Sequence, residues 1–478
     1  MLLFSFSACS EEDFSTSPSD QPFFAADTLS FDTLISTIPS STQRIVLYNP
    51  NSKDLLIDRI SLKNGGASGF MINVDGRPAN DAEGNPVDIR DVELWKEDSL
   101  YIFVEARLPE QHSDVPQPVS DEILVETQGV TRRIVLYAHA QDAVIMRGRV
   151  LEGDTVIGAG RPHVIYDSLV VGEGAVLRCN PGARLMFHSG AGLRVRGTLV
   201  AEGTARQPVV FRGDRMDRLF SYLPYDNTPG QWEGIRFYSS SMGNRLTGID
   251  LHSANTSIQC DSAARMDEPK LLLRDARIHN SAYYALRASQ CRVEVYNSLL
   301  TNSGLDLVNL SDAHCRMVHC SLLNFYAFAP RSEALVRASS ALPAEGETTE
   351  NAGAGRDTTR VWLVNCLLSG EKNSSESELP LEFEEKGIRL GGNTAGVKMD
   401  HATAISDMEH YVNLNEGRDY RYDFHITAEN AGIGVLTSEE SWEAARECPV
   451  DLDGMPRTAD VSPDAGCYEY RAPETGTE

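Results

Sequence analysis

The sequence predicts an all-β chain, a β-sandwich followed by a single-stranded right-handed parallel β-helix, and three observations carry that prediction. The first is a repeat. Leu273-Arg-Asp-Ala-Arg-Ile-His-Asn280, Val295-Tyr-Asn-Ser-Leu-Leu-Thr-Asn302 and Met317-Val-His-Cys-Ser-Leu-Leu-Asn324 follow at a spacing of 22, and Leu363-Val-Asn-Cys-Leu-Leu-Ser-Gly370 comes 46 residues later. Read as columns, Ile278, Leu300, Leu322 and Leu368 are aliphatic, while Ala276, Ser298, Cys320 and Cys366 are small. A fixed period with position-specific size marks a solenoid whose turns bury their faces against one another. The second observation is local. Val293-Glu-Val295 and Cys315-Arg-Met317 alternate apolar and polar, as half-buried strands do, and no segment carries ten residues of helical periodicity. The third is a set of seven short alternating segments in 26–142, separated by turn signals, as a sandwich requires.

Taken in order, residues 1–9 end in Phe6-Ser7-Ala8-Cys9 and are followed by Ser10-Glu-Glu-Asp13. The first string resembles a lipobox, and the second resembles the acidic export signal behind the lipidated cysteine of Bacteroidota surface lipoproteins. The resemblance implies lipidation of Cys9, an anchor in the outer membrane and display at the cell surface. Residues 10–25, rich in Ser, Pro and Asp, read as a tether.

The sandwich strands are expected at 28–31, 44–48, 55–62, 70–74, 100–106, 122–127 and 133–138. The run Leu47-Tyr-Asn-Pro-Asn-Ser-Lys-Asp-Leu-Leu-Ile57, a strand ending in an Asn-led turn before a second strand, resembles Ig-like domains of the abnormal-spindle/hydin type. That likeness implies a spacer or docking module.

The β-helix is expected over 143–425. Gly192-Leu-Arg-Val-Arg-Gly-Thr-Leu-Val-Ala-Glu-Gly203, Pro208-Val-Val-Phe211 and Gly230-Gln-Trp-Glu-Gly-Ile-Arg-Phe237 are similar to the opening coils of exported bacterial β-helix proteins. Glycine or Pro-Gly punctuates the strands where tight corners are needed. One turn column reads Asp275, Asn297, His319 and Asn365, and a second reads Asn280, Asn302 and Asn324. Asn and Asp tolerate left-handed backbone angles, and stacked Asn side chains form ladders between coils, so these positions read as structural. Insertions fall at 213–229 and 342–360. Residues 334–339 resemble 285–289, so the second insertion interrupts one coil and accounts for the spacing of 46. The closing segment 426–478 contains Asp451-Leu-Asp-Gly-Met-Pro-Arg457 and Pro463-Asp-Ala-Gly-Cys-Tyr-Glu-Tyr470 and resembles the terminal segment of such proteins, implying a cap over the open coil edge.

Composition narrows the function. A formal charge of -26 and a pI near 4.8 argue against nucleic acid or an anionic membrane surface as partner, because phosphate binding needs clustered Lys and Arg. No stretch approaches the roughly 18 apolar residues that cross a bilayer. The nine cysteines form no CxxC or Cys/His metal spacing; Cys315, Cys320 and Cys366 read as core thiols, and a Cys448–Cys467 pair is left open.

No motif names a reaction. Enzymes of this shape act on long glycans and need convergent acids and bases, so the outward columns of the repeat supply the catalytic candidates Glu294, Arg316 and Arg274. A cross-strand ion pair between Glu294 and Arg316 is the simpler reading. Trp232, Tyr225, Tyr283, Tyr284 and Tyr296 are the rings on which a sugar face could stack. Asp451 and Asp453 are candidate calcium ligands, though two carboxylates fall short of a calcium shell and a structural turn explains them. The sequence thus predicts a surface lipoprotein that binds glycan or serves as a structural display. A polysaccharide lyase or glycosidase is the alternative, and a structural adhesin engaging protein is the second.

Overall fold

The computed structural model describes residues 13–80, 85, 87–330, 333–339, 359–370, 388–391, 395–396, 409–415, 420–430, 432–434, 438–457 and 462–472. Cys9 lies outside them, as does 342–358 of the second insertion. Two compact units, residues 1–143 and 144–478, divide the chain.

The first unit is two five-stranded sheets over one apolar core. One sheet holds Gln43–Tyr48, Ser99–Ala106 and Phe70–Val74 at its centre; the other orders Thr28–Ile35, Val130–Gln141, Gln117–Thr127, Leu55–Leu62 and Ile89–Leu94. Alternation delivers Leu47, Ile57, Phe70, Ile102, Val104 and Ile134 to the core. Asn49 makes the expected turn: its buried amide donates to the Lys53 and Leu94 carbonyls at 2.9 and 3.0 Å. Of the expected tether 10–25, residues 10–12 lie outside the described residues. From residue 13 onward the chain is docked, with Phe14 bridged to Asp54, the strand Phe23–Phe24 added to Gln43–Tyr48, and the Phe24 ring buried under Arg132. Two aromatic side chains turn a polar stretch into an edge strand.

The second unit is a parallel β-helix whose coils present three faces. The first face is a sheet of nine described strands that includes Asn244–Thr247, Leu271–Arg274, Arg292–Tyr296, His314–Val318 and Arg360–Val364. The second runs through Arg184–Phe187, Val209–Gly213, Ile249–His252, Arg277–His279, Leu299–Thr301, Ser321–Asn324 and Leu367–Gly370, and the third through Leu193–Val195, Ile235–Phe237, Thr256–Cys260, Tyr284–Ser289, Val308–Ser311 and Val336–Ser339. The long strand His163–Val171 bends at Asp167, at φ 66°, and belongs to both the second and third faces.

The columns stack as the repeat requires. Leu273, Val295, Met317 and Leu363 are register partners on the first face, and Ile278, Leu300, Leu322 and Leu368 on the second. Val336 pairs with Val308, one coil beyond Leu286, so the second insertion does interrupt a coil. Asp275, Asn297, His319 and Asn365 all sit at φ between 47° and 53°. Their side chains form rungs: Asn297 donates to Asp275 at 2.7 Å, and Asn365 meets His319 at 2.9 Å. Gly234, at φ 96°, is the tightest corner, where an added Cβ would meet the Thr256 carbonyl oxygen at 1.8 Å. Among the described residues, eight cysteines are buried free thiols, Cys448 and Cys467 included.

The end of the chain departs from expectation. Tyr411–Leu414 and Tyr422–Ile426 form an antiparallel hairpin rather than a further coil. The closing segment, expected to cap the coil stack, lies along its flank. Its nine-residue helix Glu439–Glu447, capped by the Ser438 side chain on the Ser441 amide, packs Ala444 and Cys448 against Tyr296, Val318 and Val364 of the first face. The hairpin and Leu452, Cys467 and Tyr468 cover Leu299, Leu323 and Leu367 of the second. Those outward leucines explain the placement, since a solvent-facing column of leucine must be buried by something.

Candidate functional site

The hairpin does not cover the whole second face. Between it and the coils lies a cavity of about 400 Å³, floored by Arg277, His279, Asn280, Thr301 and Asn302 and walled by Tyr420, Arg421, Tyr422, Asp423 and His425. The floor follows from register: alternation sends Leu251, Ile278 and Leu300 inward and leaves Asp250 beside Arg277, and His252 beside His279, on the outer side.

Two histidines at this groove are each held between two aspartates. His252 Nδ1 lies 2.7 Å from Asp250 Oδ1, and its Nε2 lies 2.7 Å from Asp226 Oδ1. Arg212 anchors Asp226 at 2.9 Å, and His279 Nε2 approaches Asp250 Oδ1 at 3.3 Å. The His252 and His279 rings stack at 4.7 Å. The donor atoms of Asp250, His252 and His279 all lie within 4.8 Å of one another. Burial alone would lower the His252 pKa; the Asp250 and Asp226 carboxylates outweigh it and hold the imidazole near 9. Burial likewise works against ionised Asp250, but the two imidazoles keep it well below the usual carboxylate range.

The second histidine repeats the pattern. His425 Nδ1 lies 2.5 Å from Asp423 Oδ1 and its Nε2 2.8 Å from Asp453 Oδ2. Arg277 and Arg471 also hold Asp453, at 2.8 and 3.3 Å. The hydrogen bond to Asp453, reinforced by Asp423, raises the His425 pKa against the pull of burial.

Two buried polar atoms at the cavity have no protein partner, Asn280 Oδ1 and Thr301 Oγ1, on residues 3% and 1% exposed. The other Asn280 amide group donates to the Asn227 carbonyl at 3.0 Å. At the rim, rings follow one another from the first insertion to the hairpin turn: Phe220 to Tyr222 at 5.5 Å, Tyr222 to Tyr420 at 6.4 Å, Tyr420 to Phe328 at 4.9 Å. Phe220 and Tyr222 are more than half exposed.

The residues singled out from sequence fall mostly elsewhere. Trp232 is fully buried, stacked on Phe187 at 4.3 Å, and its indole N–H donates to the His252 carbonyl; it supports the site from beneath and cannot meet a sugar. Arg316 does not pair with Glu294. It makes a bidentate pair with Glu447 at 2.8 Å, while Glu294 takes Arg292 at 2.5 Å and the Tyr296 hydroxyl at 3.1 Å. Arg274 lies over the Tyr296 ring and donates to the Glu447 carbonyl. Arg316, Arg274 and Tyr296 are thus the seat of the C-terminal helix, Tyr296 buried beneath it, and Glu294 holds the Tyr296 hydroxyl. Tyr225 packs under Arg215, in the turn that delivers Asp226. Tyr284 opens a third-face strand with exposed Tyr283 beside it, and neither lines the cavity.

Asp451 and Asp453 do not form a calcium shell. Asp451 accepts the amides of Asp453, Met455 and Glu469, and Asp453 faces two guanidiniums and an imidazole, so protein donors already take up both carboxylates. None of Asp226, Asp250, His252, His279 and His425 is among the residues singled out from sequence. The signal was present as Asp250-Leu-His252 and Asp423-Phe-His425, a spacing that puts acid and imidazole on one side of a strand.

No protein-family model matches the chain, and no curated protein matches it. Among solved structures, it is similar to a family 123 glycoside hydrolase from Clostridium perfringens, described for glycolipid glycan hydrolysis, at 10% identity over 25% of this chain and 26% of that one, with a TM-score of 0.18. It is similar to the Vibrio cholerae VesB protease at 11% identity over 26% of this chain and 32% of that one, with a TM-score of 0.15. The chain spans about a quarter of the first and a third of the second, and neither likeness bears on its activity.

Proposed function

We propose that the chain is a surface lipoprotein, anchored through Cys9 and spaced from the membrane by an Ig-like unit, whose β-helix binds an extended glycan in the second-face groove. The observation that carries the binding reading is the run of rings, exposed Phe220 and Tyr222 and half-buried Tyr420, leading into a cavity lined by the polar side chains of Arg277, His279, Arg421 and Asp423. Aromatic faces take the apolar side of a sugar, and charged and polar side chains take its hydroxyls. A glycan array on the intact chain tests it. Tyr222→Ala is expected to weaken the best glycan about 3- to 10-fold, the range of one aromatic contact. Failure of the native chain to retain any glycan defeats the reading.

A second reading is cleavage of that glycan. It is favoured by the convergence of Arg277, Arg421 and Asp423 with His279 and His425 on one cavity, a set able to neutralise a uronate and move a proton. New reducing ends would mark a glycosidase and ultraviolet-absorbing unsaturated ends a lyase; product lost in His279→Ala while binding persists would establish catalysis.

A further inference from the structure

We infer that Asp250, His252 and His279 form a binding site for a first-row divalent transition metal such as zinc, at the end of the groove and independent of any glycan.

The ligand set is two imidazoles and one carboxylate, the donors that suit zinc, iron(II) and cobalt(II) rather than the oxygen-only shell of calcium or magnesium. Zinc ligands at about 2.0–2.2 Å sit roughly 3–3.5 Å apart from one another. Asp250 Oδ1 lies 2.7 Å from His252 Nδ1 and 3.3 Å from His279 Nε2, and the three donor atoms fall within 4.8 Å. Admitting the ion requires the 2.7 Å Asp250–His252 pair to open by less than about 1 Å and the two imidazole nitrogens to lie at that spacing, from a starting separation of no more than 4.8 Å.

The surroundings of the triad are those of a metal centre. A ligating histidine commonly donates its remaining N–H to a carboxylate, which fixes the ring and strengthens it as a ligand. With Nδ1 on the metal, His252 presents Nε2–H to Asp226 Oδ1 at 2.7 Å, and Arg212 holds the same oxygen at 2.9 Å. The backbone is fixed too: the Trp232 indole donates to the His252 carbonyl, and Ser253, at φ 62°, holds the Asp226 carbonyl through its hydroxyl. The stacked rings come from adjacent coils, where His252 and His279 are register partners. Three protein ligands leave further coordination positions for water or a bound molecule. His279 also lines the cavity, so the site adjoins the groove.

The second histidine cluster supplies an internal control. His425 is likewise flanked by Asp423 and Asp453, but no second imidazole joins it; Arg277 and Arg471 occupy that side instead.

The test uses the full, tag-free chain, stripped with a chelator and dialysed against Zn²⁺, with bound metal counted by mass spectrometry and affinity read by calorimetry. Co²⁺ is added in parallel, because its visible spectrum reports the ligand field. One equivalent of zinc is expected. Asp250→Asn and His279→Gln should each weaken it at least about 100-fold, and Asp226→Asn should weaken it about 10- to 100-fold while leaving the stoichiometry at one. His425→Gln should leave it unchanged. Circular dichroism of each metal-free variant confirms folding, and Asn and Gln are chosen because they keep side-chain volume. Retention of no zinc by the native chain, retention unaffected by His279→Gln, or equal loss in His425→Gln would overturn the assignment.

Discussion

At the scale of the residue, the chain is built from polar side chains placed where only one neighbour fits. His425 is the case with a measurable pH signature. An unfolded histidine titrates near 6.5, and the Asp453 and Asp423 carboxylates raise the folded value. Its stabilising contribution is therefore fully present below about pH 6.5 and is lost as pH rises through the raised folded value. Hydrogen exchange of the hairpin Tyr411–Leu414 and Tyr422–Ile426 should quicken across that window, beyond the intrinsic pH effect, and His425→Gln should remove the excess. In the interior, Leu300 is fully buried between Ile278 and Leu322. Leu300→Ala is expected to cost about 2.5–5 kcal/mol, read from denaturant midpoints. That column was legible in sequence because an aliphatic side chain recurring once per coil has one use. The two Asp–His–Asp arrangements were not legible in full: Asp226 reaches His252 from an insertion and Asp453 reaches His425 from the closing segment, and no periodicity encodes either contact.

At the scale of the element, corners and docked segments decide what is exposed. Gly234→Ala would drive a Cβ onto the Thr256 carbonyl at a left-handed backbone position, so it should cost more than about 2 kcal/mol and leave less soluble protein on expression. The helix Glu439–Glu447 rests on the bidentate Arg316–Glu447 pair and on a Ser438 cap. Arg316→Glu places two acids together and should expose the C-terminal segment to limited proteolysis without unwinding the coils. Ser438→Ala should cost about 1 kcal/mol by removing the cap. In sequence, Glu294 and Arg316 read as one outward column and Arg274 as part of a second. The nine-residue helix that covers them is too short to announce itself by periodicity, and its hydrogen-bond partners on the coils lie 76 or more residues away in the chain.

At the scale of the whole molecule, two units with separate cores are expected to unfold as separate events. Calorimetry of the intact chain should resolve more than one transition, and a chelator should move only the one that belongs to the β-helix. The division into sandwich and solenoid was readable from the change in strand spacing and from the 22-residue period. The groove was not, because it arises where the end of the chain folds back over coils laid down earlier.

The eight buried thiols described above have a bearing on the order of events in the life of the protein. Each sits sealed in the packed interior, and burial pushes Cys179 and Cys467 up to about 12, far from the thiolate that oxidants attack. Once the coils are wound, burial shields these eight thiols from oxidants in solution. A nascent or denatured chain has no such shelter, and with so many unprotected sulfurs it would be scrambled into cross-linked by-products wherever disulfides form. Winding must outrun oxidation. Refolding yield should therefore rise steeply with added dithiothreitol, while the melting temperature of the finished protein stays where it was.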